Sequence, residues 1–167
     1  MTSGGDDSCT SRRSIVYIEL DEESFSRHRP EIVHERAVAI FDLLEDNYFE
    51  LKGDVYQSGP YHLKLSRLQD QLIYDVQTTK GTTIRKLRLA IKPFRTVIKD
   101  YLIVCESYFD AIKTQRPAQI EAIDMGRRAL HNEGADMLTE RLEAHVNLDP
   151  NTARRLFTLL CVLHVRV

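Results

Sequence analysis

YHLKLSRLQDQLIYDVQTTKGTTIRKLRLAIKPF, residues 61–94, changes its period once, and that change decides the fold. In the first run Tyr61, Leu63 and Leu65 fall on one side and His62, Lys64 and Ser66 on the other. Leu72, Tyr74 and Val76 repeat the pattern in the second run, and Leu87, Leu89 and Ile91 in the third. Gln69-Asp70 and Lys80-Gly81 supply short turns between them. Alternation of period two with tight turns predicts an antiparallel meander over 61–68, 71–78 and 82–91, wet on one face. After Pro93 the period becomes helical: Phe94, Val97, Ile98, Tyr101, Cys105, Tyr108, Phe109 and Ile112 keep one stripe.

Working outward, prolines mark the other helix starts. Proline suits a first helical turn because its missing N–H would be unpaired there anyway. Pro30, Pro117 and Pro150 therefore open helices of about 30–46, 117–145 and 150 onward, with Asp149 as an N-cap for the last. The first of these presents Val33, Ala37, Ile40, Phe41 and Leu44 as its apolar stripe; the last is apolar nearly all round from Leu156 to Leu163 and belongs in the core. Ile15–Leu20 is a further β-rich run. Strands followed by helices give an α+β class: one domain over 14–167, a small antiparallel meander against four to five helices, after a disordered tail at 1–13.

Composition bounds the function. The 167 residues are 43% apolar and 29% charged with a net charge of −2, so the chain can bury a core and has no overall pull toward nucleic acid or an anionic membrane. One local exception runs from Lys80 to Lys99, with seven basic residues and no acidic one. Lys86 and Arg88 on the outer face of their strand make it a phosphate or RNA candidate, although Tyr61 and Tyr74 share the leucine side and leave no bases a stacking platform. A solvated face is the simpler reading, and a nucleic-acid partner is disfavoured.

Cys9, Cys105 and Cys161 are odd in number and far apart, which reads as reduced thiols in a cytoplasm. Cys161 and His164 at i, i+3 lack a second ligand pair, so no metal is expected. No Gly-rich phosphate loop, GxSxG or HExxH is present, and no cofactor is implied. The longest apolar run, 156–165, is too short to span a bilayer.

The densest cluster of chemistry is IEAIDMGRRALHNEG, 120–134. On a helix Asp124 meets Arg127 and Arg128, and Arg127 neighbours His131. Gly126 and Gly134 invite either close approach or a break near Asn132–Gly134. Arg127, Arg128, His131, Asn132 and Glu133 are thus the candidate binding residues, for a protein partner or a small anionic ligand. In the rival reading the surface is an enzyme acting on phosphate esters or RNA: Arg127 and Arg128 hold phosphate, and His131 or Glu133 moves protons. A plain helix junction is the structural alternative. His34, Glu35 and Arg36, with Lys86 and Arg88, are secondary candidates. The two functional readings divide on whether the basic stripe and the 127–134 segment share one concave face.

HERAVAIFDLLEDN (34–47), PFRTVIKDYLIVCESYFDAI (93–112), IEAIDMGRRALHNEG (120–134) and TARRLFTLLCVLH (152–164) resemble an uncharacterised protein family of alphaproteobacteria, over roughly 14–166. The resemblance implies a bacterial cytoplasmic protein of one domain. It carries over no activity and no site residues.

Overall fold

Residues 12–25, 30–53 and 59–164 are described by a computed structural model of the chain. Of the expected tail at 1–13, residues 1–11 lie outside the described residues, as does Cys9. The meander forms where the alternation placed it: β3 (Tyr61–Leu68), β4 (Gln71–Gln77) and β5 (Thr83–Ala90) pair antiparallel, with Leu65 opposite Tyr74 and Tyr74 opposite Leu87. Gln69 at φ 55° and Gly81 at φ 84° turn the chain between them. Before the meander comes β1 (Ile15–Leu20), which joins beside β3 in parallel and gives the order β1-β3-β4-β5.

Helix α1 (Pro30–Glu45) and the short β2 (Phe49–Leu51) lie between β1 and β3. A 3-10 turn at Lys92–Phe94 leads into α2 (Arg95–Thr114), followed by α3 (Pro117–Leu142), β6 (Val146–Leu148) and α4 (Pro150–His164). β2 and β6 form a separate antiparallel ribbon, Phe49 opposite Leu148; three residues each is too short a pattern to read from sequence. Asp149 Oδ1 accepts from Thr152 N at 2.8 Å, so the expected N-cap is in place. Thr152, fully buried, accepts from Tyr48 N at 2.8 Å and ties α4 to the β2 ribbon.

The core joins the inner face of the sheet to α4. Leu63, Leu65, Tyr74 and Leu87 belong to the same buried cluster as Leu156, Phe157, Leu159 and Leu160. α1 and α3 both pack on α4, and α2 packs on α3. Two stripes differ from expectation. α1 buries Arg36, Ala39 and Leu43 and packs Ile40 and Leu44 half-buried against the core, whereas Val33, Ala37 and Phe41 of the expected stripe face solvent, with Phe41 66% exposed. Its contact with α4 and β1 selects the 36/39/43 face, Arg36 included, over the more apolar 33/37/41 face. The α2 stripe divides: Phe94, Val97, Ile98 and Tyr101 are buried, while Cys105 and Tyr108 are half-buried and Phe109 and Ile112 exposed.

Candidate functional site

The 127–134 stretch is neither a break nor a junction, because α3 runs unbroken from Pro117 to Leu142. Gly134 is there for packing. A Cβ built on it would stand 2.2–2.5 Å from three ring carbons of Phe157, so only glycine lets α3 cross α4 at this height. Gly126 has no such neighbour.

His131 faces the same crossing. Its ring stacks on Tyr101 at 5.2 Å between centroids and tilts against Phe157 at 5.8 Å. Its Nε2 lies 2.9 Å from Thr158 Oγ1 and 3.1 Å from the Arg154 carbonyl oxygen. The Thr158 hydroxyl already donates to that carbonyl, so Nε2 carries the proton and donates. Burial holds the imidazole below its usual range, with the Arg154 carbonyl bond opposing and the Arg127 and Arg154 charges assisting. His131 therefore sits as a neutral ring wedged among three helices.

The remaining candidates separate. Asp124 Oδ1 accepts from Arg127 Nε at 3.0 Å and Nη2 at 2.7 Å, and its Oδ2 pairs with Arg128 at 3.0 Å. The Arg127 hydrogen bond holds the Asp124 carboxyl below the usual carboxylate range, and the carboxylate in turn raises Arg127. The Arg127 guanidinium lies 5.2 Å over the Tyr108 ring. Arg128 is otherwise in solvent. Asn132 accepts from Arg154 Nε at 2.8 Å, and Glu133 points outward.

Arg127 reaches a cavity that the other four do not line. A half-open groove of about 450 Å³ runs between α1 and α2, floored by Thr158, Cys161 and Val162 of α4. His34, Glu35 and Val38 of α1 form one wall; Cys105, Tyr108 and Phe109 of α2 form the other. Two separate sequence candidates, His34-Glu35 and Arg127, thus meet here. The third residue of the first, Arg36, turns away, is 6% exposed and reaches Glu22 at 3.5 Å. The walls of Cys105, Tyr108 and Phe109 were visible only as a stripe on α2 longer than its core contact requires. Burial pushes the Cys105 and Cys161 thiols up, so neither is an activated nucleophile.

Lys86 and Arg88 line a different cleft, toward the C-terminal end of α3, with Arg141 and His145. Arg127 is not part of it: the basic stripe and the 127–134 segment open on separate cavities. Among the described residues no group of three or more His, Cys, Asp or Glu side chains is placed to hold a metal ion. Among them no helix is long and apolar enough to cross a membrane.

The model of UPF0262, described as an uncharacterised protein family, matches residues 12–166. A UPF0262 protein of Rhodospirillum rubrum is 57% identical over 152 residues, covering 91% of this chain and 92% of its own. One from Jannaschia sp. is 51% identical over 150 residues, covering 90% and 96%, and one from Mesorhizobium japonicum 51% over 155 residues, covering 93% and 95%. No solved structure matches the chain.

Proposed function

This chain belongs to the UPF0262 family, and we propose that it acts as a binding protein whose α1–α2 groove, with Arg127 in its wall, receives a helical segment of a protein partner. The observation that carries this reading is apolar surface left open beside unlike polar groups. Phe109, Ile112 and Val38 are 65%, 50% and 44% exposed, on the very helices that wall the groove. Exposed apolar surface continuous with a lined groove marks an interaction site more often than an isolated leucine does. Two helices with a third as floor offer the arrangement in which amphipathic helices seat their apolar face.

Charge narrows the occupant. Arg127 and Arg128 are neutralised in part by Asp124, whereas Glu35 and Asp42 line the groove with no cationic partner among the described residues. The incoming segment should carry basic residues beside its apolar anchors. The enzyme reading has less support: His131 is committed to Thr158 and the Arg154 carbonyl, Glu133 faces away, and the basic stripe opens elsewhere.

A photo-crosslinking residue at position 109, compared with one at exposed Val16 on β1 outside the groove lining, tests the site in native extract. Crosslinks specific to position 109 should map to one amphipathic, basic segment. A synthetic peptide of that segment should bind, and Phe109→Glu should weaken it at least tenfold, about 1.4 kcal/mol. Equal binding to Phe109→Glu, or equal crosslinking at both positions, would sink the proposal.

A further inference from the structure

The second cavity carries its own proposal, independent of the groove. It is a cleft of about 680 Å³ lined by Arg85, Lys86, Leu87 and Arg88 of β5, facing Arg141 and His145. Side chains of successive strand residues point to opposite faces. Four successive residues can therefore line one cleft only if it runs along the strand's edge. β5 is an outer strand of the sheet, and among the described residues no backbone group pairs with its free side. At the opposite edge the start of β1 is capped: Asn47 Oδ1 accepts from Ile15 N at 2.8 Å and Asn47 Nδ2 donates to Ile15 O at 2.9 Å.

The lining itself carries charge of one sign, with Asp75 of β4 opposite Lys86 one strand in. Lys52 also lines the cleft, and no aspartate or glutamate does. Among the described residues none of Lys52, Arg85, Lys86, Arg88 and Arg141 forms an ion pair with a carboxylate. Arg85 Nη1 donates to the Lys52 carbonyl at 3.0 Å, and Lys52 Nζ donates to the Glu143 carbonyl, so these two brace the walls. Lys86, Arg88 and Arg141 are left facing solvent. Lysine on an edge strand is also a common guard against aggregation. A guard needs one or two charges on the strand itself. Here Lys52 and Arg141, from a loop and the end of α3, add to the same field despite their mutual repulsion.

We propose that this cleft binds an acidic peptide in extended conformation, added to β5 as a further strand. The edge supplies main-chain hydrogen bonds and the basic side chains select Asp and Glu. Arg85 to Arg88 span roughly 10 Å, enough for three or four residues of the incoming strand at ~3.3 Å each. Single-stranded nucleic acid fits less well, since binding without base readout relies on aromatic platforms and the cleft lining holds only His145 as a ring.

The probes are a fluorescent Glu/Val hexapeptide, the same peptide with alternate amides N-methylated, and a short oligothymidylate, each titrated by anisotropy at low and at 0.3 M salt. The plain peptide should bind, weaken with salt, and lose at least tenfold affinity on N-methylation, because methylated amides cannot join a ladder. Arg88→Glu and Arg141→Glu, checked by thermal melt for an intact fold, should each cost at least tenfold. No binding of the plain peptide overturns the proposal. Equal binding of the methylated peptide overturns strand addition, and tighter binding of the oligothymidylate shows a general polyanion surface instead.

Discussion

Gly126→Ala and Gly134→Ala place the same methyl group on the same helix, and the structure separates their effects. Both positions are helical, so each substitution regains about 1 kcal/mol of helix propensity. At Gly126 nothing lies within 4 Å of the new Cβ, and the gain stands alone. At Gly134 the new atom would meet the Phe157 ring at 2.2, 2.3 and 2.5 Å, well inside van der Waals contact. Phe157 is fully buried, with Tyr101 at 5.6 Å and His131 at 5.8 Å between ring centroids, so it has no free direction in which to move. Overpacking of this kind costs typically 1–3 kcal/mol. Gly126→Ala should stabilise by about 0.5–1 kcal/mol, and Gly134→Ala should destabilise by roughly 0–2 kcal/mol net, toward the upper end because the Phe157 ring is hemmed in. At roughly 2–4 °C per kcal/mol for a chain of this size, the two melts should lie several degrees apart on opposite sides of wild type. Urea titration gives the free energies directly. Trimming the obstacle in Gly134→Ala/Phe157→Leu should recover part of the loss relative to Phe157→Leu alone. A Gly134→Ala protein as stable as Gly126→Ala would refute the close crossing of α3 and α4.

Leu159, 1% exposed on α4, should lose about 2–5 kcal/mol when truncated to alanine, read as a lowered urea midpoint with unchanged slope. His131, its imidazole held below the usual range by burial, is less protonated folded than unfolded, so its contribution to stability is complete above about pH 6.5 and is lost as pH falls toward the folded value. Wild type should therefore lose more stability than His131→Gln between pH 8 and pH 5; parallel losses would show that the ring is not desolvated. Arg128→Ala, which removes only an exposed partner of Asp124, should shift the melt by no more than about 2 °C. A larger drop would mean that the Asp124 pair braces the helix.

Period and punctuation made most of the fold legible. Alternation placed β3, β4 and β5, and the prolines at 30, 117 and 150 begin helices as read. β1 was legible as a β-rich run at Ile15–Leu20, but its parallel pairing with β3 and the β2–β6 ribbon were not, since pairing between distant short segments leaves no periodic trace. Nor was the rotation of α1, whose more apolar 33/37/41 face is left outside while the face with Arg36 packs on α4 and β1. At the candidate site, spacing correctly joined Asp124 to both arginines, because i+3 and i+4 pairs are local. It could not show that His131 packs into the core crossing, that Arg127 meets His34 and Glu35, or that Arg141 joins Lys86 and Arg88. Those are tertiary facts. The packing of His131 carries an expectation of its own: His131→Ala should cost stability, as a wedge removed from between Tyr101 and Phe157.

Cys105 offers the most direct test of the groove as a docking site, because its thiol lies in the groove wall and is half-buried rather than sealed. Its rate of alkylation by a small iodoacetamide, read by mass spectrometry, can be compared in purified protein and in the cells that make it. Cys161, fully buried in the floor, serves as the control that stays unlabelled while the fold holds. A partner segment seated between α1 and α2 predicts slower labelling of Cys105 in cells than in the purified chain, and loss of that protection in Phe109→Glu. Equal rates in cells and in purified protein, with Cys161 unlabelled in both, would contradict the account.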